Sequence, residues 1–126
     1  MLLRQSDIVC VHTPLDVDTR ALIGPHEIAH MKKGAFLINA ARGPIVDEKA
    51  LVAALSEGQL GGAGLDVFEV EPLPRDSPLR GLENVILAPH RGGATVEADE
   101  RLIEVIGDNL LRVLDGRPPR NVVNGL

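Results

Sequence analysis

Four short apolar runs constrain the fold of this chain more than any other feature. They are Ile8-Val9-Cys10-Val11, Ala35-Phe36-Leu37-Ile38-Asn39, Gly62-Ala63-Gly64-Leu65-Asp66-Val67 and Val85-Ile86-Leu87-Ala88. The first, continuously apolar and rich in β-branched residues, has the pattern of a strand buried on both faces of a sheet; the second reads as another buried strand and the last two as further strands. Helix signals separate them. Gly24-Pro25 opens a short helix over His26 to Met31, with proline in the first turn, and the cations and glycine of Lys32-Lys33-Gly34 close it. Asp47 caps a second helix whose Leu51, Ala54 and Leu55 share one face, and Gly58 ends it. Glu71 to Pro78 holds three prolines and reads as loop. Thr95 caps the longest helix, striped by Leu102, Ile103, Ile106, Leu110, Val113 and Leu114 and stopped by Gly116 and Pro118-Pro119.

Strands alternating with helices predict an α/β fold, a parallel sheet of about four strands with flanking helices. The pattern is that of the second half of a doubly wound, Rossmann-like sheet, whose complete form has about six strands and opens on a strand, a glycine loop and a helix. No G-x-G-x-x-G occurs; Gly61-Gly62-Ala63-Gly64 leads into a strand instead. At 126 residues, one small domain is expected.

Composition narrows the function. With 13 basic and 18 acidic residues the formal charge is −5, which argues against a nucleic-acid or anionic-membrane surface. Phe36 and Phe68 are the only aromatic residues, so platforms for stacking bases are absent. No run approaches the ~20 apolar residues of a membrane span. Gln5-Ser6-Asp7 interrupts any secretory signal. The single Cys10 suits a reducing cytoplasm and reads as a small buried hydrophobe. His26 and His30 lack a third ligand nearby and read as helix surface, so no metal site is expected.

Ligands of open α/β sheets bind beyond the carboxyl ends of the strands. The polar groups there are His12-Thr13, Asn39 through Arg42-Gly43, Asp66 with Glu71 farther on, and His90. Arg42, Glu71 and His90 make a catalytic set in principle. Histidine exchanges protons near neutrality, a neighbouring carboxylate orients an imidazole and favours its protonated form, and arginine offers a planar fork to a substrate carboxylate. Taken singly, each has a plainer reading: a solvated Arg-Gly turn, an exposed loop acid, a satisfied loop histidine. His12, before Pro14, reads as structural.

Longer motifs carry a resemblance to the D-isomer-specific 2-hydroxyacid dehydrogenases. They are Ser6-Asp7-Ile8-Val9 through His12-Thr13-Pro14-Leu15, Met31-Lys32-Lys33-Gly34, Leu37-Ile38-Asn39-Ala40-Ala41-Arg42-Gly43, Val46-Asp47-Glu48 with Ala50-Leu51, Leu65-Asp66-Val67-Phe68 to Glu71-Pro72-Leu73, and Asn84-Val85 to Pro89-His90 with Gly92-Gly93. The resemblance runs collinearly over essentially the whole chain. It implies a fragment of a two-domain enzyme: 1–115 as the carboxyl-terminal portion of the dinucleotide-binding domain, and 116–126 as a tail returning to a substrate-binding domain.

The resemblance further implies hydride transfer between NAD (or NADP) and a D-2-hydroxy acid/2-keto acid pair. His90 is then the acid/base, Glu71 its orienting carboxylate and Arg42 the substrate-carboxylate binder. Thr13, Ala40, Ala41, Arg42, Asp66, His90, Gly92 and Gly93 become cofactor-binding residues, with Asp66 on the nicotinamide carboxamide. A cytoplasmic, homodimeric full-length enzyme is implied, without nucleic-acid or membrane partners. Arg91 departs from the family, which more often has an aliphatic residue there. Two other readings stand beside the enzyme: an inactive truncated product, and a nucleotide-binding regulatory module of the same fold. Retention of all three of Arg42, Glu71 and His90 favours the enzyme.

The 126-residue chain by itself is expected to show no dehydrogenase activity and weak dinucleotide affinity, because pyrophosphate rests on a glycine loop and helix N-terminus that this sequence lacks. An apolar edge at Ile8 to Val11 would favour self-association. Calorimetric titration with NAD and NADP beside light scattering tests both; micromolar binding by a clean monomer contradicts them.

Overall fold

The computed structural model describes residues 2–124. The chain divides into two compact units, Met1–Gly92 and Gly93–Leu126. The expected boundary at 115/116 falls inside the second unit. Gly125 and Leu126, the end of the expected tail, lie outside the described residues.

In the first unit, a short helix α1 (Leu2–Gln5) leads into β1 (Ile8–Val11), followed by α2 (Pro25–Ala29), β2 (Ala35–Asn39), α3 (Glu48–Ser56), β3 (Leu60–Leu65) and β4 (Val85–Leu87). Single 3-10 turns at Gly43–Ile45 and Pro78–Gly81 interrupt the connections. The caps are as the residues dictate. Asp47 accepts from the Ala50 amide at 3.0 Å, and Gly34 and Gly58 take positive φ of 81° and 70° after their helices. The expected β3 over 62–67 is displaced towards the amino terminus, so Asp66 and Val67 lie just beyond it.

The four strands pair in parallel in the order β1-β2-β3-β4. Register aligns Val9 with Leu37 and Ala63, and Val11 with Asn39 and Leu65; these residues are buried and define one face. Ile28 of α2 and Leu51, Ala54 and Leu55 of α3 close the same core. Residues of the other parity, Ile8, Cys10, Phe36 and Ile86, are exposed. The expectation that β1 and β2 are buried on both faces is therefore corrected, as is the buried reading of Cys10. Strand order explains it: right-handed crossovers advancing in one direction set successive helices on the same face, so α2 and α3 leave the other uncovered. On that open face Gly62 and Gly64 lie beneath Phe36 and Ile38, where an added Cβ would stand 3.0 and 3.1 Å from those side chains.

β3 is glycine-rich for a second reason. A Cβ on Gly61 would strike the Gly34 carbonyl, so glycine lets the turn before β2 lie against the strand. In the second unit α4 (Val96–Leu114) is capped by Thr95, whose hydroxyl accepts from the Ala98 amide at 3.1 Å. Its apolar stripe is present as read, but no residue of the helix is buried. Asn109 holds the following segment through both backbone groups of Arg120, and Arg112 donates to the Pro118 carbonyl.

A one-faced core makes neighbouring apolar positions unequal. Leu51→Ala, at a side chain 1% exposed, is expected to cost about 2–5 kcal/mol in urea unfolding. Ile86→Ala, at 77% exposure, is expected to stay within ~0.5 kcal/mol of wild type. Equal losses would mean both faces are packed.

Candidate active site

Because the strands are parallel, their carboxyl ends lie along one edge, and the candidate residues follow them within a few positions, Glu71 standing farther along the loop after β3. At the end of β2 the Asn39 side chain is buried, and both its polar atoms are hydrogen-bonded. Its Oδ1 accepts from the Ala41 amide at 3.1 Å and its Nδ2 donates to the Arg42 carbonyl at 2.9 Å. This Asx turn folds Ala40 to Arg42 around the amide. It leaves Ala40 and the Arg42 side chain exposed, and Arg42 Nη1 donates to the Ala41 carbonyl at 2.6 Å. Gly43 seats the loop: a Cβ there would collide with the Phe68 carbonyl, so the Arg42 loop lies directly on the backbone beyond β3.

The segment after β3 turns back on itself through Glu71. Its Oε1 accepts from the Phe68 amide at 3.0 Å, and its Oε2 accepts from His90 Nδ1 at 2.7 Å. One carboxylate thus folds its own loop and orients the histidine beyond β4. The hydrogen bond from His90 is the largest influence holding the Glu71 carboxyl below its ordinary range. The Phe68 amide is next, and the positive charges of His90 and Arg42 add to them. Asp66, immediately after β3, accepts from the Arg91 amide at 2.8 Å and the Gly92 amide at 2.6 Å; the Arg91 bond leads in lowering its pKa. A cavity of about 530 Å³ opens beside the pair, lined by Phe68, Glu71, Pro72, Leu73, Arg80, Leu87, Ala88, Pro89 and His90.

Of the residues expected at the site, Glu71 and His90 are thus in direct contact, and Arg42 is close enough to act on Glu71 by charge. Thr13, half-buried, follows β1 on the same edge. Gly93 opens the second unit, where its carbonyl accepts from the Thr95 amide at 3.1 Å. Sequence reading missed the structural roles of Asn39, Gly43 and the Phe68 amide. The signal for Asn39 was an Asx residue ending a strand two positions before a turn amide.

The family model described as "D-isomer specific 2-hydroxyacid dehydrogenase, NAD binding domain" matches residues 1–92. The chain belongs to the D-isomer-specific 2-hydroxyacid dehydrogenase family. It is similar to a glyoxylate reductase of Thermofilum pendens, with 53% identity over 98% of this chain and 36% of that protein. A glyoxylate/hydroxypyruvate reductase B of an Enterobacter species is 50% identical over 98% of this chain and 38% of its own length. The chain therefore spans little more than a third of the length of these relatives. Among solved structures, a Thermus thermophilus protein superposes with a TM-score of 0.92 at 49% identity, over 97% of this chain and 39% of its own. The NAD-complexed D-isomer-specific 2-hydroxyacid dehydrogenase of Lactobacillus delbrueckii ssp. bulgaricus gives 0.87 at 34% identity, over 96% and 41%.

Two outcomes follow from the site geometry. Gly43→Ala is expected to destabilise the fold by about 1–3 kcal/mol, because the methyl meets backbone; an unchanged urea midpoint contradicts the seating on Phe68. Glu71 has a folded pKa below its ordinary 4.5, so its contribution to stability is complete above that value and is lost as pH falls through the lower folded one. Acid titration of the urea midpoint is expected to fall less steeply in Glu71→Gln than in wild type. Parallel curves would show that the pair adds nothing to stability.

Proposed function

We propose that Arg42, Glu71 and His90 are the catalytic set of an NAD(P)-dependent oxidoreductase acting on D-2-hydroxy acids and the matching 2-keto acids. The observation that carries the proposal is the 2.7 Å bond from His90 Nδ1 to Glu71, standing on the sheet edge where the exposed Arg42 also emerges. With Nδ1 committed to a carboxylate, Nε2 is the nitrogen free to exchange a proton with substrate oxygen. In oxidation it takes the hydroxyl proton; in reduction it returns one to the carbonyl oxygen. Arg42 binds the substrate carboxylate and, as a fixed cation, stabilises negative charge on the reacting oxygen.

The residues present fit the nicotinamide end of a dinucleotide. Ala40 and Ala41 are small, Thr13 adds a hydroxyl, and each Asp66 oxygen has one backbone donor and a second lone pair for a carboxamide. Bound there, the cofactor supplies the hydride acceptor or donor. His90, Gly92 and Gly93 complete the proposed cofactor set. The relatives' names support glyoxylate and hydroxypyruvate as first substrates to try. Both cofactors remain in the proposal, since one similar structure is a complex with NADPH and another with NAD. Homodimeric assembly and a cytoplasmic setting are parts of the same reading, carried over from the family resemblance alone. Among the described residues no helix is long and apolar enough to cross a membrane.

In protein of the relatives' full length, His90→Gln is expected to lower kcat about 10²–10⁴-fold with dinucleotide affinity unchanged. Arg42→Ala is expected to lower kcat and raise KM together. Steady-state kinetics on a panel of 2-keto acids checks both; wild-type turnover by the His90 variant ends the assignment.

A further inference from the structure

His90 stands in an unusual conformation. Its φ of 55° lies in the left-handed region, which residues bearing a Cβ populate sparsely and keep only where their surroundings hold them. The holding group is Asp66. Its two oxygens take the amides of Arg91 and Gly92, the two N–H groups that follow the histidine. Successive amides beside a left-handed residue form a concavity for an anion, and here the anion is a side chain of the neighbouring strand end. Asp66 is itself anchored, since its amide donates to the Asn39 carbonyl at 3.0 Å.

Gly92 points independently to the same device. Its φ is not among the positive ones, so its own backbone conformation does not demand glycine. An added Cβ would instead stand 2.8 Å from Asp66 Oδ2. The glycine is explained by the carboxylate that occupies the space.

We infer that Asp66 is a positioning residue: by gripping the Arg91 and Gly92 amides it keeps His90 in the left-handed conformation that presents Nδ1 to Glu71. This role is distinct from contact with the cofactor, and it deepens the proposed function, resting on His90 as the acid/base. The Arg91 amide, first among the causes, lowers the Asp66 pKa, in the direction that favours the ionised, gripping form.

The test needs no turnover, so its failure is separable from failure of the enzymatic reading. It uses the 126-residue chain, with amide exchange and imidazole nitrogen shifts read by NMR in wild type, Asp66→Ala, Asp66→Asn and Gly92→Ala. In Asp66→Ala the Arg91 and Gly92 amides are expected to exchange about tenfold faster, the scale for losing a hydrogen bond to a charged group. The His90 nitrogen shifts are expected to move towards those of a free imidazole, while Leu37 and Leu65 keep their protection. Asp66→Asn, retaining one acceptor, is expected to be intermediate. Gly92→Ala is expected to reproduce the loss alone and to add nothing in the Asp66→Ala background, where the opposing carboxylate is gone. Should Asp66→Ala fail to fold, Asp66→Asn and Gly92→Ala carry the same comparison. Faster Arg91 and Gly92 exchange with unchanged His90 shifts would overturn the inference, reducing Asp66 to a loop tie.

Discussion

The hydrogen-bond ladder of the parallel sheet runs past the last residue of the strands, and the candidate site depends on that extension. The Asp66 amide reaches back to the Asn39 carbonyl at 3.0 Å, and the Ala88 amide to the Leu65 carbonyl at 2.8 Å. Each added rung brings the first residues beyond a strand into the register of the strand beside it. Asp66 and Ala88 therefore start their loops from fixed points. From those points only short side chains are needed: an amide at Asn39, and carboxylates at Asp66 and Glu71. Asn39 is buried and Asp66 half-buried, and polar groups so placed are costly unless satisfied. No described buried side-chain nitrogen or oxygen is left without a partner.

Much of this was legible in the residues. The apolar runs locate the strands, Asp47 and Thr95 announce their caps, and the expected parallel order sets Arg42, Asp66 and His90 along one edge. The open face was not legible. Ile8 and Val9 are equally apolar, and a run of apolar residues does not say which parity the helices will cover; the direction of successive crossovers decides that. Cys10 was misread for the same reason. The stripe of α4 was correctly placed along the helix, yet amphipathic periodicity records only that residues share a side, not that the side is packed.

Within the site, residue type suggested the chemistry while contact determined its arrangement. Glu71 and His90 lie nineteen positions apart, and Asp66 and Gly92 twenty-six. Only the fold reveals that one glycine clears a carboxylate and that another, Gly43, clears a carbonyl. Such requirements leave no periodic trace. They appear in a sequence merely as glycines beside charged residues, where a flexible turn is the simpler reading.

The seating of Gly43 on Phe68 bears on motion. Two loops touching backbone to backbone, with no side chain between them to change rotamer, have almost no soft coordinate along which to separate. The Phe68 end of that contact is bonded to Glu71, and Glu71 to His90, so the backbone of the arginine loop and the histidine are tied through one short chain of contacts. In the proposed reaction, any opening that admits substrate would then bend elsewhere, and the backbones of the two loops would keep their spacing through it.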